Sequence, residues 1–293
     1  MKKILLLVLT ALAAIALAAC GGGEESNGSA AGKDKVIKIG VNGADGPQWP
    51  VMVELAKKEG ITLEVVEFSD YIMPNKALAA GDIDLNAFQT ISFFANFVKE
   101  SGEDVVPIGT TVFAPLGIYS EKIASLDELK KGDKVAIPND ASSMPRALNL
   151  LQEAGVIELA DDFGITGDET KITSNPLELE FIPMEPQQTP RVLPDVTVSL
   201  INNGIAVQAG FTPAEDAIYF ENTESETIEP YINIIAARAE DKDNEDYLKI
   251  VELYHSKEVE DAINQEFKGS QFIIRKTAEE TADIFDRMME YYK

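Results

Sequence analysis

From Val36 onward the chain alternates short apolar runs with stretches of helical periodicity, and this alternation limits what it can fold into. Val36-Ile37-Lys38-Ile39-Gly40-Val41 is apolar and rich in β-branched residues, so it reads as a strand. Met52, Leu55 and Ala56 form a helical stripe that ends at Gly60. A second strand over Leu63–Phe68, a short helix around Ala77–Ala80 and a third strand over Ile83–Phe88 continue the pattern. Antiparallel neighbours need only a tight turn between them, whereas strands separated by helices call for parallel pairing through crossovers. The fold class is therefore α/β.

The same grammar repeats. Ser125 and Glu128 form a capping box that predicts a helix over Leu126–Lys131, stopped by Gly132. A strand over Lys134–Ile137, a helix over Arg146–Ala154 and strands over Leu179–Ile182 and Val196–Ile201 follow, with a proline-rich stretch between Asn175 and Pro194. Two α/β units in series imply two lobes. Beyond Glu229 the pattern predicts a strand over Tyr231–Ala236. One long amphipathic helix follows, carried by Tyr247, Ile250, Val251, Tyr254, Ala262 and Ile263. A polar helix over Thr277–Tyr292, with a weak stripe of Ala282, Ile284, Phe285 and Met289, is assigned to the first lobe.

Ahead of this body stand Lys2 and Lys3, an apolar run from Ile4 to Ala19, and Leu17-Ala18-Ala19-Cys20. The run falls short of the roughly 20 residues a spanning helix needs, and with small residues at its end it reads as a signal peptide. A cysteine at the cleavage point resembles the lipobox of bacterial lipoproteins, which implies lipidation of Cys20 and attachment to the membrane on its extracytoplasmic face. Gly21 to Gly32 would serve as a tether with a reach on the order of 20 Å. Cys20 is the only cysteine, so its modification leaves no thiol for a disulfide or for nucleophilic catalysis.

A formal charge of −25 repels nucleic acid and anionic headgroups, which excludes both as ligands and supplies solubility. His255 is the single histidine, so zinc chemistry and Ser–His or Cys–His catalysis lack their parts. No glycine-rich phosphate loop is present. Asp241 to Asp246 with Glu252 faintly echoes a calcium loop, but Asp246 stands where the sharp turn needs glycine. Asp82 and Asp84 flank Ile83 at strand spacing and share a face; they read as a solvated strand edge or as a carboxylate pair. The sequence implies no cofactor and no metal.

Three ordered groups of residues are more specific. Phe68-Ser69-Asp70-Tyr71-Ile72-Met73-Pro74-Asn75 comes first, then Gly81-Asp82-Ile83-Asp84-Leu85-Asn86-Ala87-Phe88-Gln89, then Ile137-Pro138-Asn139-Asp140 with Arg146-Ala147-Leu148. Pro190-Arg191, Ile201-Asn202, Ala209-Gly210, Thr212-Pro213 and Tyr231-Ile232-Asn233 continue the order. Together they resemble the NlpA/MetQ family of methionine-binding lipoproteins, from about Val36 to Gly269. The resemblance implies a two-lobed, periplasmic-binding-protein-like fold that encloses an amino acid, no catalysis by this chain, and a partnership with an ABC permease and its ATPase. It divides the chain into a signal peptide (1–19), a lipidated cysteine and tether (20–35), a first lobe (36–120 with 234–293) and a second lobe (121–233).

The chemistry of the matched residues points the same way. Arg146 offers a planar fork to a ligand carboxylate at a helix start that Pro145 suits. Asn202 and Asn233 end or interrupt apolar strands, where an amide both accepts from an ammonium and donates to a carboxylate. Tyr71 and Phe88 supply an aromatic wall for a thioether. Each has a plainer alternative: core packing for the aromatics, an ion pair for Arg146, strand-end duty for the asparagines. Trp49, in the loop and helix start after the first strand, either lines the cleft or packs within the lobe.

Where the family usually has histidine and tyrosine this chain has Thr90 and Phe93, and Ala114 and Ile205 replace two further tyrosines. The pocket is thus expected to be roomier and more apolar, open to methionine, a larger apolar amino acid or a methionine-containing dipeptide. An acidic surface hydrolase and a surface adhesin are the alternatives from other functional classes.

Overall fold

The computed structural model describes residues 35–222 and 226–292, so the signal peptide, Cys20 and the tether lie outside the described residues. The first lobe begins with β1 (Lys35–Val41), α1 (Gln48–Lys58), β2 (Ile61–Glu67), α2 (Met73–Ala80), β3 (Leu85–Thr90), α3 (Ile91–Ser101) and β4 (Val105–Phe113). The stripe Trp49, Met52 and Ala56 buries one face of α1. Gly81 and Gly102 close α2 and α3 in the left-handed conformation that glycine adopts without a Cβ clash. Thr90 opens α3, its hydroxyl accepting from the Phe93 amide at 3.2 Å.

The second lobe holds β5 (Gly117–Tyr119), β6 (Lys134–Pro138), α4 (Ser143–Glu153), the short pair β7 (Glu158–Leu159) and β8 (Ile172–Ser174), then β9 (Glu180–Met184), β10 (Val198–Ile201), α5 (Asn203–Gln208), α6 (Pro213–Asp216) and β11 (Tyr219–Phe220). Returning to the first lobe, the chain adds β12 (Ile232–Arg238), α7 (Glu245–Tyr254), α8 (Lys257–Phe267), β13 (Phe272–Ile273) and α9 (Ala278–Tyr291). No helix among the described residues is long and apolar enough to cross a membrane.

The first sheet runs β13-β4-β12-β3-β1-β2 and the second β11-β5-β10-β6-β9. The expected parallel pairing holds for β1 with β2 and β3, and for β6 with β9 and β10. The strands that carry the chain between lobes pair antiparallel, β4 with β12 in one sheet and β5 with β11 in the other. One leads out of a lobe and the other returns. β5 belongs to the second sheet although the sequence division after residue 120 placed it in the first lobe; Leu116 and Ile118 bury their side chains in the second core.

Helices α1, α7 and α8 cover one face of the first sheet around Ile39, Met52, Leu85, Ile250 and Ile263. The other face packs on α2, α3 and α9 around Leu78, Phe94, Ile234 and Phe285. A Cβ at Gly109 of β4 would stand 2.3 Å from the Val251 side chain, so this glycine permits the close seating of α7.

Two helix predictions need correction. The capping box at Ser125 forms, but only a 3₁₀ turn, Leu126–Glu128, follows it. Leu129 turns extended at ψ 140° and is buried in the second core. The long helix through Tyr247 and Ile263 is two helices. Ser256 caps α8, and the His255 Nε2 bonds the Thr110 carbonyl at 2.7 Å, so the chain bends between them. The calcium-loop echo dissolves similarly, with Asp241 bound to Arg238 and Asn244 capping α7.

Candidate functional site

In the first lobe three aromatic rings form a cup. Tyr71 precedes α2, where Asp70 Oδ1 accepts from the amides of Ile72 and Met73 at 2.7 and 2.8 Å and fixes the turn. Phe88 lies on β3, and Phe93 is set by the Thr90 cap in the first turn of α3. Ring centroids stand 5.9 Å apart for Tyr71–Phe88, 6.0 Å for Tyr71–Phe93 and 6.3 Å for Phe88–Phe93. Burial, and then the Asp140 carboxylate, push the Tyr71 phenol well above its usual pKa, so it stays protonated as a donor. Trp49 packs in the first lobe and also reaches the cavity described below; it is 3 % exposed within the first core and edge-on to Tyr254 at 6.0 Å.

The second lobe contributes the start of α4. Asp140 Oδ1 accepts from the amides of Ser142 and Ser143 at 3.1 and 2.8 Å and caps the helix. Asn202, just past β10, donates Nδ2 to the Ser143 hydroxyl at 3.1 Å. Its Oδ1 is buried and without a hydrogen-bond partner among the described residues, as is Gln48 Oε1. Asn233, in β12, donates to the Val112 carbonyl at 3.2 Å.

Arg146 is arranged differently from the expectation. Its Nε donates to both Glu221 carboxylate oxygens, at 3.0 and 3.2 Å, and its Nη2 bonds Glu221 Oε2 and the Ala114 carbonyl. The fork expected for a ligand carboxylate is thus held by Glu221, and Nη1 is engaged by neither partner. The guanidinium lies over Tyr231 at 4.4 Å and near Phe113 at 5.6 Å, positions that favour a cation.

These parts surround a cavity of about 150 Å³ lined from both lobes. All eight residues singled out by sequence, Trp49, Tyr71, Phe88, Thr90, Phe93, Arg146, Asn202 and Asn233, lie on its wall. Ala114 is on the wall as well. Ile205 is not; it is buried with Tyr119, Leu193 and Ile201. The wall is also less apolar than expected, because Gln48, Gln89, Asn203 and Gln271 join it. Gln48 was legible from its place beside Trp49. Glu221 was hidden in a run of surface-like acidic residues, and no local pattern marks it. Asp82 and Asp84 are elsewhere: Asp84 accepts from the Lys38 amide at 2.8 Å and from the Tyr247 hydroxyl at 3.2 Å, which is structural duty.

Among the described residues Arg146 is the only charged side chain on the wall, and Glu221 neutralises it from behind. Such a site suits a small ligand with no net charge, an apolar end for the aromatic cup, and a donor for the unpaired amide oxygens.

Two α/β lobes joined by connecting segments, with a polar and aromatic cavity between their facing elements, define a two-lobed solute-binding protein of the periplasmic-binding-protein type. The chain belongs to the NlpA lipoprotein family, whose model matches residues 37–274. It is 41 % identical over 262 residues to the D-methionine-binding lipoprotein MetQ of Salmonella typhimurium, covering 88 % of this chain and 93 % of that one. Its fold is similar to that of protein PG110 from Staphylococcus aureus, with 45 % identity, a TM-score of 0.84 and coverage of 86 % of this chain and 99 % of the other. A nutrient-binding protein from Burkholderia cenocepacia bound to methionine superposes with a TM-score of 0.77 at 41 % identity, over 81 % and 99 % of the two chains.

Proposed function

We propose that this chain is the extracytoplasmic receptor of an ABC importer, anchored through a lipid on Cys20, and that it encloses methionine between a first lobe built around β1–β4 with β12 and a second lobe built around β5–β11. The reading assigns it no catalysis. Delivery falls to a membrane permease and its ATPase.

The observation that carries the reading is the pairing of two buried amide oxygens without partners among the described residues, Asn202 Oδ1 and Gln48 Oε1, with the Tyr71–Phe88–Phe93 cup in one cavity. Buried acceptors without partners are costly unless a ligand satisfies them, and an ammonium does so. Aromatic edges at this spacing attract a thioether sulfur. Arg146, held in place, presents positive charge to a carboxylate. A cavity near 150 Å³ is the size that holds a benzene-sized guest, which favours a single amino acid over a dipeptide.

Mass spectrometry of small molecules released by denaturing the purified protein identifies its cargo directly. Calorimetry on protein refolded after unfolding then compares L- and D-methionine, other apolar amino acids and methionine-containing dipeptides. Saturable binding of methionine is expected. Binding to none of these ligands overturns the reading.

A further inference from the structure

The two segments that join the lobes meet at one carboxylate. The Glu221 amide donates to the Leu116 carbonyl at 3.0 Å, and the Leu116 amide donates to Glu221 Oε2 at 3.0 Å. Leu116 lies on the outgoing segment between β4 and β5, and Glu221 on the return segment after β11. The same carboxylate grips the Nε and Nη2 edge of Arg146 on α4, and the Ala114 carbonyl, also on the outgoing segment, takes another hydrogen from Nη2 at 3.0 Å. Tyr231, from the end of the return segment, lies under the guanidinium. Both charged side chains are nearly dry, at 6 % and 12 % exposure.

We propose that Glu221 is a positioning residue for ligand capture: anchored on both connecting segments, it fixes the guanidinium of Arg146 so that one edge stays turned to the connection and the other serves the ligand carboxylate. The inference rests on the reading of the cavity as an amino-acid site. An arginine on a flexible stem pays conformational entropy each time it orders on a ligand. Here the plane is set in advance by two carboxylate oxygens, a carbonyl and two aromatic rings, so that cost is met during folding. Glu221 also keeps the site neutral before the ligand arrives, and a zwitterion leaves it neutral afterwards. Without Glu221 the guanidinium is free to turn and pair with other acceptors, and carboxylate recognition suffers more than recognition of the rest of the ligand.

The test titrates ligand-free wild type, Glu221→Gln and Glu221→Asp with L-methionine and with L-methioninamide, which keeps the ammonium and thioether but lacks the carboxylate. Trp49, the chain's single tryptophan, stands on the cavity wall and reports occupancy by fluorescence. Glu221→Gln is expected to weaken methionine binding tenfold or more while methioninamide binding changes less than threefold, with Glu221→Asp recovering part of the methionine loss. Melting curves of the ligand-free proteins run alongside. If Glu221→Gln does not fold, Glu221→Asp against wild type carries the comparison, with a smaller loss of the same selectivity expected. Equal losses for both ligands, or undiminished methionine binding, overturn the proposal and leave the receptor reading standing. A wild type that binds no amino acid overturns the receptor reading itself, and this inference with it.

Discussion

Asn75 and Gln89 exchange two hydrogen bonds, Asn75 Nδ2 to Gln89 Oε1 at 2.7 Å and Gln89 Nε2 to Asn75 Oδ1 at 2.6 Å. Asn86 joins them, donating to Asn75 Oδ1 at 2.9 Å and accepting from Gln89 at 2.9 Å. All three amides are buried, and together they tie α2 to the strand that carries Phe88. Gln89→Leu should therefore cost about 2–3 kcal/mol of stability, because Asn75 Nδ2 and Asn86 Oδ1 lose their Gln89 partner and stay buried. Urea unfolding measures the loss. A variant as stable as wild type would show that the network rearranges without penalty.

The aromatic cup makes a prediction about selectivity. Norleucine replaces the thioether sulfur of methionine with a methylene and keeps its shape closely. Phe88→Leu should reduce the preference for methionine over norleucine by about 0.5–1 kcal/mol, the scale of one sulfur–aromatic contact. Competitive titration gives the ratio for each protein. An unchanged ratio would place the sulfur outside the cup.

Much of this site was legible in the sequence because its residues stand out by chemistry within or beside regular elements, an arginine in a helix, an aromatic in a strand and an amide just past one. Phe88 in β3, Asn202 just past β10 and Arg146 in α4 each face the cavity. What stayed hidden depends on contacts between distant segments. The partnership of Glu221 with Arg146 spans 75 positions and joins a surface-like acidic run to a buried helix. The division between lobes was misplaced at β5 because a short apolar strand looks the same whichever core receives it. The break at His255 escaped because Ser256 is a competent cap inside an otherwise continuous stripe, and local pattern does not say which tendency prevails.

Asp140 is a capping residue with a charge in an unfavourable place. Oδ1 takes the amides of Ser142 and Ser143, while Oδ2 is buried without a partner among the described residues. Desolvation raises its pKa, against the opposing pull of those amide bonds. A carboxyl whose folded pKa is raised binds its proton more tightly when folded, so its destabilising effect is fully present at neutral pH and fades as pH falls toward the ordinary value of 3.8. Asp140→Asn keeps the capping oxygen and removes the charge. It should be at least as stable as wild type at pH 7, with the difference closing in acid. Asp140→Ala loses the cap and should cost about 1 kcal/mol. Urea titrations at several pH values separate the two effects, and an Asn variant no more stable than the Ala variant at pH 7 would refute this account.

His255 gives a pH dependence of the opposite sign. Burial lowers its pKa below 6.5 and the nearby Arg275 adds to the shift, while the hydrogen bond to the Thr110 carbonyl opposes it. The folded protein therefore prefers the neutral ring. The unfolded chain takes up a proton first as pH drops past 6.5, so the stability from this residue is present above that pH and is lost as pH falls through the folded value. The loss falls on the bend between α7 and α8, whose helices cover one face of the first sheet. His255→Gln retains a donor for Thr110 without titrating. Between neutral and mildly acidic pH, wild type should lose melting temperature faster than His255→Gln, and the carboxylates common to both proteins cancel in the comparison. Parallel melting curves across that range would mean that the imidazole is charged in the fold as readily as in the open chain.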